Sequence, residues 1–192
     1  MEMPTVANYP IAEQEKQKEP EIIAAAKADP KNFAPLYEKH YEQIFRFIIQ
    51  RINDRDTALD ITSQVFLKAM CNLNRYEYKG VPFSSWLYRI AYNEIISFIK
   101  ENEEKRSVNV NSADVLNMAD EIETGNKEQL YEKLLDMIGD LPEEELQLVE
   151  MRFFEKRSFK EIGEILEITE NNAKVKVYRT LEKLKKKLVA KL

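Results

Sequence analysis

The sequence predicts an all-α protein of two small helical domains joined by a flexible acidic linker. Three observations carry this. Apolar residues recur every three or four positions over most of the chain, no stretch keeps strand-like alternation, and only 4 of 192 residues are Gly, too few for a turn-rich β architecture. Apolar residues make up 44% and charged ones 33%, so small cores can form beneath a well-solvated surface.

Residues 1–20 carry Pro4, Pro10 and Pro20 without an apolar period and are expected to be a disordered arm. A first domain is expected over 21–103. It starts with a short helix at 22–28, stopped by Asp29-Pro30. A helix over 33–53 follows, with Leu36, Tyr37, Tyr41, Ile44, Phe45, Ile48 and Ile52 on its period. Asp54 or Asp56 can cap the next helix, whose apolar positions are Leu59, Ile61, Val65, Phe66, Ala69 and Met70. Gly80 and Pro82 mark the loop that closes it, and a long helix spans about 83–103. Residues 104–126 are polar, acidic and rich in Asn and Ser: a linker composition. A second domain is expected over 127–192: helices resume at about 127–138, Gly139-Asp140-Leu141-Pro142 is a break and a restart with Pro142 at a first helical position and Glu143 to Glu145 at its positive end, and a supporting helix runs over 141–154.

The formal net charge of −5 conceals an asymmetry. Segments 1–20, 21–100, 101–151 and 152–192 carry −2, +2, −11 and +6, and the whole basic excess of the last lies from Thr169 onward. An acidic middle thus separates two segments able to approach a polyanion, and Lys183, Lys185, Lys186, Lys187 and Lys191 end the chain. Several chemistries are excluded by inventory. One Cys (Cys71) cannot form an internal disulfide, and one His (His40) cannot complete a two-His metal motif. No phosphate-cradling Gly motif is present, and no nucleophile–base pair suggests itself, so the expectation is no catalytic residues, no cofactor, no metal and no enzyme. The start lacks an apolar signal region and no eighteen apolar residues run together, which implies a cytoplasmic chain without membrane insertion. Cys71 reads as a small buried hydrophobe and His40 as a packing or helix-surface residue.

In the second domain Ser158 precedes Phe159-Lys160-Glu161, the pattern of a capping box, and starts a short helix with Ile162, Ile165 and Leu166 on one side. Thr169 can cap again, leaving a turn of Glu167-Ile168-Thr169: helix-turn-helix spacing. On the second helix Ala173, Val177, Leu181, Leu184 and Leu188 share one face. The opposite face shows Asn171, Asn172, Val175, Arg179, Lys183 and Lys186, flanked by Lys174, Lys176 and Tyr178. Amides and Arg can pair with base edges and Val can pack on a thymine methyl; an amphipathic helix with a chance basic face is the bland alternative. In the first domain, residues 83–100 place Leu87, Ile90, Ala91, Ile95 and Phe98 on a core stripe. Trp86, Tyr88, Arg89, Tyr92, Asn93 and Lys100 lie near the other side. Aromatics among Arg, Asn and Lys can stack unpaired bases, but they also pack helix interfaces; periodicity favours packing for Trp86 and leaves Tyr88 and Tyr92 open.

Taken together, the blocks F-x-x-L-Y-x-x-x-Y (Phe33 to Tyr41), D-I-T-S-Q-V-F-L-K-A (Asp60 to Ala69), F-S-S-W-L-Y-R-I-A-Y-N (Phe83 to Asn93), Leu141-Pro142 and S-F-K-E-I-G-E-I-L-E-I-T (Ser158 to Thr169) resemble a bacterial sigma factor of the extracytoplasmic-function (ECF) group in the sigma-70 family. The likeness covers roughly residues 21–190. It implies that the first domain is a sigma region 2 helical bundle and the second a sigma region 4 helix-turn-helix, binding core RNA polymerase through its β′ clamp and β flap. By resemblance, Asp60, Ser63, Gln64 and Phe66 would face the polymerase. Arg75, Tyr78, Lys79, Ser85, Trp86, Tyr88, Arg89, Tyr92 and Asn93 would hold the melted −10 element. Asn171, Asn172, Lys174, Val175, Lys176, Tyr178, Arg179 and Lys183 would read the −35 duplex, and anti-sigma partners are common in the family.

The chain departs from the family pattern in several places. Ser63-Gln64 replaces a usual Gln-Glu pair, Tyr92 a usual basic residue and Ser97 a usual Asp. Glu167 stands where the turn normally has Gly, and Asn171-Asn172-Ala173 where the recognition helix normally starts Gly-Thr-Val, making the two amides the best candidates for a changed −35 preference. A Glu forced to positive φ costs about 1 kcal/mol or more. The implied function is promoter-specific initiation of transcription, with the two modules, held apart by the linker, gripping the promoter at two points only while docked on polymerase. The alternatives are a helix-turn-helix regulator acting on duplex DNA without polymerase, and a helical protein-interaction adapter.

Overall fold

The computed structural model describes residues 13–52, 54–102, 134 and 137–190. Among them every regular element is helical, in the order α1 (Glu13–Ala28), a 3₁₀ turn (Pro30–Phe33), α2 (Ala34–Ile52), α3 (Arg55–Asn72), a 3₁₀ turn (Leu73–Arg75), α4 (Phe83–Asn102), α5 (Glu143–Val149), a π turn (Glu150–Phe154), α6 (Phe159–Leu166) and α7 (Glu170–Ala190). The expected linker, 104–126, lies outside the described residues, as do residues 1–12.

One expected boundary moves. The arm was expected to reach residue 20, but α1 begins at Glu13. Glu, Gln and Lys are strong helix formers, and they carry the helix through Pro20 despite the lost backbone donor. Tertiary contacts support it. Glu19 lies 2.9 Å from Lys39 Nζ and 3.3 Å from His40 Nε2, and Lys27 Nζ donates to the Tyr76 carbonyl at 2.7 Å. Burial alone would raise the Glu19 carboxyl, but the His40 hydrogen bond and the hydrogen bond and charge of Lys39 bring it down to about 2.

In the first domain α2, α3 and α4 pack on one another around Leu36, Ile44, Ile48, Val65, Leu87 and Ile95, all buried. Asp54 caps α3 by accepting from the Thr57 amide at 2.8 Å. The expected stripe of α4 holds at Leu87, Ala91 and Ile95, while Ile90 and Phe98 are only partly buried. His40 is buried, with its ring 5.6 Å from that of Phe83. Cys71, expected inside, is exposed: the last turn of α3 is covered on its Leu73 side and leaves Cys71 on the other.

The second domain packs α7 against α5 and α6 around Leu146, Ile162, Ile165, Ala173, Val177, Leu181 and Leu184. The supporting helix expected over 141–154 is present as α5 and, without a break, the π turn that carries it to Phe154. The sequence left the arrangement of the two domains in the free chain open; here α6 packs against α4, and ion pairs cross the junction.

Candidate nucleic-acid interface

The helix-turn-helix is built from local chemistry. Ser158 accepts from the Glu161 amide at 3.2 Å while the Glu161 carboxylate accepts from the Ser158 amide at 3.0 Å, a reciprocal cap. At the other end of α6, Glu167 is left-handed at φ 55°, ψ 38°, so the unfavourable geometry expected of it is present. The Gly163 carbonyl accepts from Glu167 and, at 2.9 Å, from Ile168, closing the helix end. Gly163 is also a close-approach residue. A Cβ there would lie 2.8 Å from the Ile168 carbonyl oxygen and 3.2 Å from the Glu170 nitrogen. Thr169 then caps α7, accepting from the Asn172 amide at 3.2 Å.

On α7, Asn171, Asn172, Lys174, Val175, Tyr178 and Arg179 are exposed, with Val175 at 37% and Tyr178 at 47%. Exposed apolar area on an otherwise charged helix can meet a base methyl or a sugar face. Lys176 and Lys183 are less free: Lys176 approaches Glu144 at 3.6 Å, and Lys183 pairs with both oxygens of Glu145 at 2.8–2.9 Å. The acidic first turn of α5 thus holds the flank of the recognition helix, a contact that sequence reasoning missed because it joins residues 38 apart.

The residues expected at the −10 element separate into three environments. Arg75, Tyr78 and Lys79 lie on the exposed segment before α4, with Tyr78 exposed at 75%. Ser85 and Trp86 are buried in the first domain, Trp86 against Tyr76 and Phe83 with ring centroids 5.2 and 5.5 Å apart. Tyr88 and Arg89 lie at the junction. The Tyr88 ring meets Phe47 edge-on at 4.9 Å and is capped by the Arg157 guanidinium at 3.6 Å; burial pushes its phenol upward against the opposing charge of Arg157. Arg89 pairs with Glu164 at 3.4 Å and Glu167 at 3.1 Å. Tyr92 and Asn93 line a cavity of about 270 Å³ shared with Gln147, Glu167 and Lys176.

A larger cavity of about 980 Å³ opens between α1, α2 and the segment before α4, lined among others by Lys27, His40, Arg46, Tyr76, Tyr78 and Ser84. Glu19 and Glu42 line it too, pairing with Lys39 at 2.9 Å and Arg46 at 2.6 Å, so cations, carboxylates and phenols surround its apolar floor. Burial and the charge of Glu19 push the Tyr76 phenol up to about 12.

A further surface runs along α3. Asp60, Ser63 and Gln64 are exposed, whereas Phe66 packs inward against Tyr37 at 4.7 Å. The exposed apolar residues of this face are Leu67, Met70 and Tyr37. Leu67 was passed over; its position three and four residues beyond Gln64 and Ser63 was the available signal.

This geometry defines a class: a two-domain helical protein whose helix-turn-helix offers DNA an exposed face of amides and cations, beside a second domain with an aromatic, basic surface. Comparison with known proteins identifies the family. The family description "Sigma-70 region 2" matches residues 36–104, and "Sigma-70, region 4" matches residues 131–184. RNA polymerase sigma factor SigZ of Bacillus subtilis is 30% identical over 159 residues, 82% of this chain and 87% of that protein. The ECF RNA polymerase sigma factor BldN of Streptomyces coelicolor is 26% identical over 181 residues, 91% of this chain and 67% of that protein. The solved structure of CnrH in complex with the cytosolic domain of CnrY superposes with a TM-score of 0.54 at 18% identity, over 88% of this chain and 96% of that one, and so shares the fold. The chain belongs to the sigma-70 family, in its ECF group. It is an alternative sigma factor that directs transcription initiation, with core RNA polymerase and promoter DNA as partners. Sigma factors are in general non-catalytic initiation subunits, and no helix among the described residues is long and apolar enough to cross a membrane.

Proposed function

We propose that residues 21–103 act as region 2 and residues 127–192 as region 4, and that each contact with promoter and polymerase falls to a distinct surface. The exposed face of α7, with Asn171, Asn172, Val175 and Arg179, reads base edges of the −35 duplex; its unobstructed exposure is the observation that carries this reading. Lys174 and the terminal lysines attract phosphates without reading sequence. Arg75, Tyr78 and Lys79, with the large cavity beside them, take unstacked −10 bases, and Tyr88, Arg89, Tyr92 and Asn93 extend that path once uncovered. Trp86 and Ser85 support it from within the domain.

Asp60, Ser63, Gln64, Leu67 and Met70 form the face that docks on the β′ clamp, with Phe66 buttressing it from below. Region 4 docks on the β flap. Strand opening is driven by differential binding: bases trapped out of the stack shift the melting equilibrium, so the chain performs no catalysis and needs no cofactor. It works in the cytoplasm, and a protein of the anti-sigma class is its expected regulator.

Run-off transcription with core RNA polymerase, with and without the chain, tests this reading. Specific transcripts only when both are present are expected. Tight binding of promoter duplex by the free chain in physiological salt, or no transcripts under any condition, would overturn it.

A further inference from the structure

Residues 76–82, between the second 3₁₀ turn and α4, form neither helix nor strand, yet they follow Arg75 and carry the exposed Tyr78 and Lys79. A stretch without its own ladder of backbone hydrogen bonds is held by what packs on it. Here α1 meets both of its ends. At the entry, Lys27 Nζ donates to the Tyr76 carbonyl at 2.7 Å and lies 5.9 Å from the centre of the Tyr76 ring. At the exit, one Glu19 carboxylate oxygen lies 3.5 Å from the amide nitrogen of Phe83, the first residue of α4. The other oxygen is held by Lys39 and His40 of α2.

The spacing is set by α1 itself. Glu19 and Lys27 stand about two helical turns apart, roughly 12 Å of rise, so one helix fixes the distance between the two anchoring points. Both anchors are seated: Ile23 and Ala26, between them on α1, are buried, and so are Tyr76, Val81 and Phe83 across from them. The Tyr76 ring meets Phe83 edge-on at 5.0 Å and Trp86 at 5.2 Å. Tyr78, by contrast, is largely exposed, so its aim depends on the backbone that α1 holds. The Glu19 carboxyl, brought down to about 2, keeps its charge throughout the neutral range.

We propose that α1 is a strap that presets the −10 segment, with Glu19 and Lys27 as positioning residues at its two ends. They act through the backbone of 76–83 and touch no base. Fixing the segment before DNA arrives lowers the ordering cost of base capture and keeps Arg75, Tyr78 and Lys79 in one register against the strand. The proposal rests on the assignment of Arg75, Tyr78 and Lys79 to the unstacked −10 bases. Lys27 also lines the large cavity beside the segment, so a direct pull on a DNA phosphate is the competing account. The opposite charges of the two anchors separate the accounts. Through charge alone, loss of Lys27 weakens the hold on a polyanion and loss of Glu19 strengthens it; through position, both losses act in the same direction.

Glu19→Met and Lys27→Met test it in the full chain bound to core RNA polymerase; each keeps an unbranched apolar stem and loses the polar end. Glu19→Gln replaces the first should that variant fold poorly. Run-off transcripts are compared on two templates that differ at one −10 base, and on a second pair that differ at one −35 base. Both variants should lower the yield on the matched template and lower the −10 ratio about threefold to tenfold, with the −35 ratio within about twofold of wild type. A ratio is blind to the fraction of chain that folds, so a merely structural role lowers all transcripts together and keeps both ratios; that result would overturn the strap. So would yields that move in opposite directions in the two variants, or a −10 ratio unchanged in either. Tyr78→Ala on the same templates separates the two failures. An unchanged −10 ratio for Tyr78→Ala refutes the −10 assignment and the strap with it, while a lowered ratio beside inert Glu19 and Lys27 variants refutes the strap alone.

Discussion

Gly163→Ala offers the sharpest structural test of how the turn aims the recognition helix. An added Cβ would meet the Ile168 carbonyl oxygen at 2.8 Å, the Glu170 nitrogen at 3.2 Å and the Thr169 carbonyl carbon at 3.4 Å, all backbone atoms of the turn. Relief requires the 168–170 backbone to retreat by roughly half an ångström or more, since ordinary contacts begin near about 3.4 Å. Two terms oppose each other. Ala in place of a helical Gly gains about 1 kcal/mol of intrinsic propensity, and forced overpacking costs about 1–3 kcal/mol. The net expectation is a loss of roughly 1 kcal/mol, with Asn171 and Asn172 displaced because α7 begins at the residue being pushed. Urea unfolding of the full chain measures the first effect. Competition between a matched and a single-mismatch −35 duplex in the run-off assay measures the second, with discrimination falling at the mismatch. A variant stabilised by the full propensity gain, with discrimination intact, would refute the reasoning, because the turn would then yield at no cost.

Other expectations follow from the same geometry. Asn171→Ala or Asn172→Ala should relax preference at one or two −35 positions by about 1–3 kcal/mol each, read by run-off on mismatched templates. Lys174→Ala should weaken binding evenly across promoters and lower its salt dependence by about one ion, whereas Lys183→Ala should do less, because Glu145 already holds that ammonium. Ser158→Ala should cost about 1 kcal/mol in chemical unfolding by opening the reciprocal cap. Glu19, lowered from an ordinary 4.5 to about 2, contributes stability that is present above pH 4.5 and lost as the pH falls toward 2. For a half-buried group this is about 1–2 kcal/mol after solvent screening. Glu19→Gln should flatten the acid limb of the stability curve in that window, and an unchanged limb would show that the α1 contact contributes nothing.

The helices, their caps and the family were legible because each rests on neighbours within one or two turns. The Asp54 cap, the Ser158–Glu161 box, the Thr169 cap and the apolar face of α7 needed only short spacings, whereas the left-handed Glu167 followed from the family resemblance, whose turn has Gly there. Contacts between residues far apart in sequence were not legible. Nothing near Glu145 in the chain announces Lys183, and nothing near Tyr88 announces Arg157. The start of α1 was missed for a related reason: its Pro content was visible, but the pairing of Glu19 with Lys39 and His40 was not. Burial of Trp86 followed from periodicity, whereas burial of Tyr88 depended on the other domain.

By itself, then, the sequence determined an all-α fold class, the capped helix-turn-helix and the polar face of α7 on which the proposed −35 contacts lie, since helical period and capping are local and survive any arrangement of domains. Only the tertiary structure decided which of the presented cations are available. A guanidinium exposed on one helix becomes half of an ion pair when a carboxylate arrives from another domain, and that arrival depends on how the two cores pack.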